Sequence, residues 1–329
     1  MKVYIDSACD IHYSSFYIKG LEQCFGRNNL HFKNKPFNEL KFNNHFFAFI
    51  IKENSIETRI IIDYADSSMI DKIASEWSDI YCKINIDESK NYNTNKLVSI
   101  GPSFGINIYT PTRTLFLALM NFLKSRKRIH SLRRFFSNYK AQLKRPKIND
   151  YYPCAEQDDY IYFAGSLWKK ELKTNTFRAN FIKACLIKNI KFEGGFAPRT
   201  KNDIHGYQDL TMKVRDTMKS FLKKTKKSIV AFNTPAVLDC HGWKLAEYLC
   251  YGKAIISTDL SRKLPSKLID QKHILITDGS QKDIETKLEI LINDKKLRSI
   301  LKENARTYFE NELSPEKVIR KIKTLHNNG

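Results

Sequence analysis

The strongest constraint on the fold is the order in which strand-like and helix-like stretches follow one another. In the first half, KVYID (2–6), FFAFII (46–51), RIIIDY (59–64), DIYCKIN (79–85) and LVSIG (97–101) are short apolar runs of strand length. Helical stretches lie at 14–25, closed by Gly26, at 67–77, and from 114 to 143. Strands that alternate with helices imply a parallel sheet covered by helices. RPKINDYYPCAEQDD (145–159) has two prolines and no apolar periodicity, and reads as a linker. The alternation then begins again: YIYFAG (160–165), a helix through 177–188, IKFEGGF (190–196), a helix over 208–222, SIVAF (228–232) and HILIT (273–277). Ser280 is placed to cap a helix through 293, and Ser314 with Pro315 sets an N-cap beside a first-turn proline ahead of EKVIRKIKTL. The expectation is two α/β domains, 1–150 and 151–313, followed by a C-terminal helix over 314–329.

A chain of 329 residues with 42% hydrophobic content can fill two cores. Its start lacks the apolar stretch of a signal peptide, and its most apolar window, TLFLALMNFL (114–123), is half a membrane span. Seven cysteines form a scattered, odd set without a C-x-x-C pair, which fits reduced thiols. A cytoplasmic protein is expected. The net charge of +21 calls for an anionic partner: nucleotide phosphate, acidic lipid or nucleic acid.

One segment narrows that choice. LDCHGWKLAEYLCYGKAIIST (238–258) reads as a mostly buried helix from about Gly242, stopped by Gly252 and followed by a strand. Lys244, Glu247 and Tyr251 share one polar stripe on it. One reading is a solvent face. The other starts from the loop before the helix, which leaves the carboxyl end of a strand, where open α/β sheets bind ligands. A helix N-terminus there attracts phosphate, Lys244 adds a charge, and a carboxylate one turn on suits two ribose hydroxyls.

The pattern Asp239, Gly242, Glu247, Gly252, then an apolar strand ending in Ser-Thr, resembles the donor-site segment of nucleotide-sugar glycosyltransferases with the GT-B fold. The likeness is to retaining enzymes of bacterial surface polysaccharide synthesis, and it continues through the helical tail. It implies two Rossmann-like domains facing each other across a cleft, the first binding an acceptor and the second a nucleotide-sugar. The last helix is then expected to cross back to the first domain. Glu247 is implied as the ribose ligand and Asp239 as the ligand of the transferred sugar, with Gly242, Trp243 and Lys244 around the phosphates. Trp243-Lys244 replaces the family's common Leu-Pro, and Ser166 stands where an Arg is expected. Lys169, Lys170 and Arg199 are candidates for the missing cation. No D-x-D motif occurs, so no metal or other cofactor is expected beyond the nucleotide-sugar. A retaining reaction needs no protein base. An inverting one needs a base from the first domain, for which Asp10 and His12, after the first strand, are the candidates; the alternative for Asp10 is helix capping.

The run 124–147 carries ten Lys/Arg and no acid. Ile129, Leu132, Phe136, Tyr139 and Leu143 fall at helical spacing within it, which predicts a basic amphipathic helix. It reads either as a dock for an anionic membrane surface or as core packing with a solvated basic face. Membrane docking suits a glycan or lipid-linked glycan acceptor. A nucleic-acid partner is not expected, because the aromatics follow a helical stripe and no nucleic-acid module is present. A nucleotide-sugar binder without turnover and a basic nucleic-acid-binding protein are the remaining alternatives.

Overall fold

The computed structural model describes residues 1–40, 45–188, 190–200 and 203–327. Positions 328 and 329 of the expected last helix lie outside the described residues. The chain forms two compact units. One comprises Met1–Ile148, Lys263–Pro265 and Asn311–Gly329, the other Asn149–Arg262 and Ser266–Glu310.

The first unit opens with β1 (Lys2–Asp6), α1 (Ile11–Phe25), β2 (Leu30–Lys33), β3 (Phe46–Glu53) and β4 (Ile56–Asp63). It continues with α2 (Lys72–Trp77), β5 (Ile80–Lys83), β6 (Leu97–Ser99), α3 (Pro111–Ser125) and α4 (Leu132–Leu143). Its six strands are ordered β2-β1-β3-β4-β5-β6. The wholly parallel sheet expected for this half needs correction, since β3 pairs antiparallel with both β1 and β4 while the other neighbours are parallel. The cause is local: Glu53 faces Ile56 across Asn54 and Ser55, with Asn54 at a left-handed φ of 52°. A two-residue turn can join only antiparallel strands. Side chains at 46–51 are buried throughout, as the interior of a sheet covered on both faces requires.

The single helix expected over 114–143 is also corrected. It is two helices separated at 126–131. Arg128 in the gap forks onto both carboxylate oxygens of Asp6 (2.8 and 2.9 Å) and donates to the Leu40 carbonyl, while Ser131 caps α4 by accepting from the Arg134 N–H. Tertiary pairing of one arginine breaks a helix that neither proline nor glycine interrupts.

The second unit contains β7 (Tyr160–Gly165), α5 (Leu172–Ile187), β8 (Lys191–Phe196), α6 (Met218–Lys227) and β9 (Val230–Asn233). Then follow α7 (Trp243–Tyr251), β10 (Ala254–Thr258), β11 (Leu275–Thr277), α8 (Gln281–Asn293) and α9 (Lys295–Tyr308). The helix expected over 208–222 is replaced by a single turn at Gln208–Leu210 and by α6, which starts where Thr217 accepts from the Ser220 N–H. Every strand pairing here is parallel, in the ladders β7-β8 and β9-β10-β11. They meet where the Ile229 N–H donates to the Tyr160 carbonyl (3.0 Å) and the Tyr162 N–H to the Ser228 hydroxyl (2.9 Å). The strand sequence across the layer is therefore β8-β7-β9-β10-β11, a doubly wound order that reverses between β7 and β9. Phe163, Phe181 and Phe232 fill the core beneath that point, with the last two rings stacked at 4.3 Å.

The last helix, α10 (Pro315–Asn327), belongs to the first unit and packs along α1. Gly20 makes this possible, because a Cβ there would collide with the Pro315 carbonyl oxygen and lie 2.7 Å from Ile319 Cγ1.

Candidate active site

Helix α7 begins at Gly242 and ends at Gly252, whose φ of 62° and ψ of 55° are the left-handed stop that glycine adopts without strain. The stripe of Lys244, Glu247 and Tyr251 does not face water: Glu247 is 4% exposed and Tyr251 is 1%. The solvent-face reading of this helix is thereby excluded.

The second unit holds a cavity of about 160 Å³ at the strand-order reversal. Ser166 and Trp168 from the exit of β7, Asn233 and Thr234 from the end of β9, Gly242–Lys244 at the start of α7 and Arg178 from α5 surround it. In open α/β sheets this is where ligands bind. The Lys244 ammonium donates to the Ala164 carbonyl and sits 5.1 Å from the Phe163 ring centre and 5.7 Å from that of Phe221. Burial, the nearby Arg178 charge and only partial relief from Glu247 bring its pKa down to about 7. Arg178 is 8% exposed and donates to the Thr234 hydroxyl (3.0 Å) and the Ser166 carbonyl (2.7 Å). Burial lowers even its pKa, to about 10. The hydrogen bonds of both cations go to neutral oxygens, and neither forms an ion pair among the described residues. A cavity with two such charges and a helix N-terminus is arranged for an anion.

Gly242 has ordinary extended geometry, φ −78° and ψ 161°, so no left-handed backbone demands glycine here. An added Cβ would touch only the Ala236 side chain, at 3.5 Å. Its use is to leave the cavity wall bare. Trp243 and Lys244 line the cavity with it; Glu247, Asp239, Lys169 and Arg199 are not among the lining residues. Asp239 is exposed, on a loop where Leu238 and Asp239 both have positive φ, 55° and 57°. Glu171, Arg262 and Ser261 hold that loop through the Leu238 N–H, the Leu238 carbonyl and the Asp239 carbonyl. Lys169 is exposed. Arg199 forks onto Asp203 and donates to the Leu167 carbonyl (2.7 Å), which ties down the chain leaving β7.

In the first unit, Asp10 caps α1 by accepting from the His12 and Tyr13 N–H groups (3.0 and 3.3 Å), and its other oxygen accepts from Asn138 (2.8 Å). Burial raises its pKa to about 6. His12 is half-buried, and burial together with the Arg145 charge lowers its pKa to about 4, so it is neutral at pH 7.

Arg178 was not anticipated from the sequence. It lies in α5, where Thr174, Asn175 and Arg178 are buried together on one side of the helix. Asn175 braces the β7 exit by accepting from the Trp168 N–H (3.0 Å) and donating to the Trp168 carbonyl (2.7 Å). Among the described residues, no cluster of three or more His, Cys, Asp or Glu is placed to hold a metal.

The sequence matches no protein-family model and no curated protein. Solved structures similar to it include a glycosyltransferase from Rickettsia africae ESF-5, at 11% identity over 82% of this chain and 70% of that one, with a TM-score of 0.48. HepE of Anabaena, in complex with UDP-glucose, is similar over 78% of this chain and 80% of that one, at 11% identity and a TM-score of 0.40. The C-terminal domain of a group 1 glycosyl transferase family protein from Francisella tularensis is similar at 15% identity, over 50% of this chain and 96% of that one, with a TM-score of 0.35.

Proposed function

We infer that the chain is a glycosyltransferase of the GT-B type that moves a sugar from a nucleotide-sugar to a glycan or lipid-linked glycan acceptor, in the making of a bacterial surface polysaccharide. The observation that carries this reading is the cavity at the β7/β9 reversal with Arg178, Lys244 and the start of α7 around it. In the transfer, the bond from the sugar's anomeric carbon to the diphosphate oxygen breaks and its electron pair stays on that oxygen. A bond to the acceptor hydroxyl oxygen forms, and the hydroxyl proton passes to the leaving diphosphate if configuration is retained or to a protein base if it inverts. Two cations and a helix dipole fixed around the diphosphate stabilise the charge that develops on it. Arg178 takes the role that the resemblance expected of an Arg at 166. Asp239 is assigned to the transferred sugar and Glu247 to the ribose. If configuration inverts, Asp10 is the preferred base over His12, since a carboxylate with a pKa near 6 accepts a proton more readily than an imidazole near 4.

A thermal-shift series with UDP-, GDP-, CMP- and dTDP-sugars tests the donor site. One nucleotide class is expected to stabilise the protein, and Glu247→Ala and Arg178→Gln to lose that stabilisation. Equal stabilisation of parent and variants would discard the site. Release of free nucleoside diphosphate only with an acceptor present distinguishes transfer from binding without turnover.

A further inference from the structure

Helix α3 is built inside out. Its inward face carries Thr114, Ala118, Asn121 and Ser125, all buried. Leu115, Phe116, Leu119 and Leu123 are instead 62%, 62%, 49% and 61% exposed. At 3.6 residues per turn these four side chains fall within one arc of about 100°. The helix cannot roll to hide them without losing its inward bonds, from the Asn121 amide to the Tyr139 hydroxyl (3.0 Å) and between the Ser125 and Ser7 hydroxyls. Single exposed leucines are ordinary, but a contiguous apolar stripe marks a surface that something covers.

The surroundings say what covers it. No acidic residue occurs between Glu88 and Asp150. Exposed Lys124, Arg126, Lys127, Arg133 and Lys140 follow the stripe along the chain. The occupant must be apolar where the stripe meets it and negative over a broad area around. A second copy of this chain would set two such basic surfaces, from chains of net charge +21, against each other. A bilayer with acidic headgroups supplies both properties at once.

The apolar face of the 132–143 segment is not that surface. Of the stripe expected there, Ile129 and Tyr139 are buried, Phe136 and Leu143 are half-buried and Leu132 is exposed, and α4 packs on α1 through Phe135 and Tyr139, so α4 offers no continuous outward apolar face. No helix among the described residues is long and apolar enough to cross a membrane.

We propose that α3 docks the protein on an anionic membrane surface, with Leu115, Phe116, Leu119 and Leu123 entering the headgroup–acyl boundary and the basic residues from Lys124 onward meeting the headgroups. This does not rest on the donor-site reading, and its test uses no nucleotide. Co-sedimentation of the full chain with vesicles of phosphatidylcholine alone, and with about 30% phosphatidylglycerol, measures it. Binding to the acidic vesicles is expected to be at least about tenfold tighter than to neutral ones and to weaken as salt is raised. Phe116→Ser with Leu119→Ser should lower it about tenfold or more, and Arg126→Glu with Lys127→Glu should remove the preference for acidic lipid. The thermal midpoint of each variant should match the parent's, because all four side chains are exposed. A Phe116→Trp variant should show blue-shifted emission on acidic vesicles only. Absence of vesicle binding, equal binding by the apolar variant, or a dimer that this variant dissociates would overturn the proposal.

Discussion

Arg178 and Lys244 hold the carbonyls of Ser166 and Ala164, two positions apart on the chain leaving β7, and the arginine's fixed charge adds to burial in driving the lysine's pKa to about 7. Near neutral pH the lysine is thus half-charged while the cavity is empty. An anion entering the cavity restores its proton.

That coupling sets a pH dependence. Below pH 7 Lys244 is already charged and donor affinity is level; above it, binding must draw a proton from solvent. The dissociation constant of the stabilising nucleotide-sugar should rise about tenfold per pH unit between pH 7.5 and 8.5. The diphosphate diester does not titrate in that range. Titration calorimetry should show proton uptake at pH 8, and Lys244→Met should flatten the profile and weaken binding at pH 6.5.

Arg178→Lys keeps a charge but not the fork that spans Thr234 and Ser166. Pyrophosphate affinity should fall about tenfold or more, the loss of charge-assisted bonds worth about 1.5–3 kcal/mol. Lys169→Ala should leave it within about twofold, as expected of an exposed lysine outside the cavity.

Asp10→Asn separates two roles. The carboxyl is harder to ionise in the fold than in the unfolded chain, so it stabilises least above pH 6: stability falls as pH rises from about 4 to about 6 and then levels. The amide removes that step, and denaturation at pH 7 should show it about 1–3 kcal/mol more stable than the parent. Its oxygen can still cap α1, and the Asn138 amide can flip to accept. An inverting base would lose turnover by about 100-fold or more despite the gain in stability. Unchanged turnover would leave Asp10 a cap.

In the first unit, Lys83 donates to Asp63 (2.7 Å) with both side chains buried, and the Tyr81 hydroxyl meets the same oxygen (2.6 Å). Lys83→Met should cost about 3–5 kcal/mol in urea denaturation, because the carboxylate is left buried without its cation. Adding Asp63→Asn should recover much of that.

Helix α7 was legible because three requirements fell within one run: a glycine start, a glycine stop and a polar stripe on a helix otherwise apolar. Arg178 was not, because it reaches the cavity from a different helix, and only the fold brings α5 beside the end of β9 and the start of α7. The break between α3 and α4 has the same origin, in Arg128 finding Asp6 far away in sequence. The β3–β4 hairpin was legible and missed: Asn54-Ser55 is too short to connect anything but reversed neighbours. The outward apolar face of α3 could not be read from periodicity, which locates a stripe without saying whether protein or another phase lies opposite it.

The contact of α10 with α1 at Gly20 bears on how the chain is made. Residues 1–148 of the first unit leave the ribosome before the second unit, yet the helix that covers α1 emerges only after the whole second unit has been synthesised. At about 5–20 residues per second, the apolar side of α1 waits many seconds for its cover. During synthesis the nascent chain therefore carries an unfinished first body beside one already able to close, and that interval is when a chaperone has most to hold.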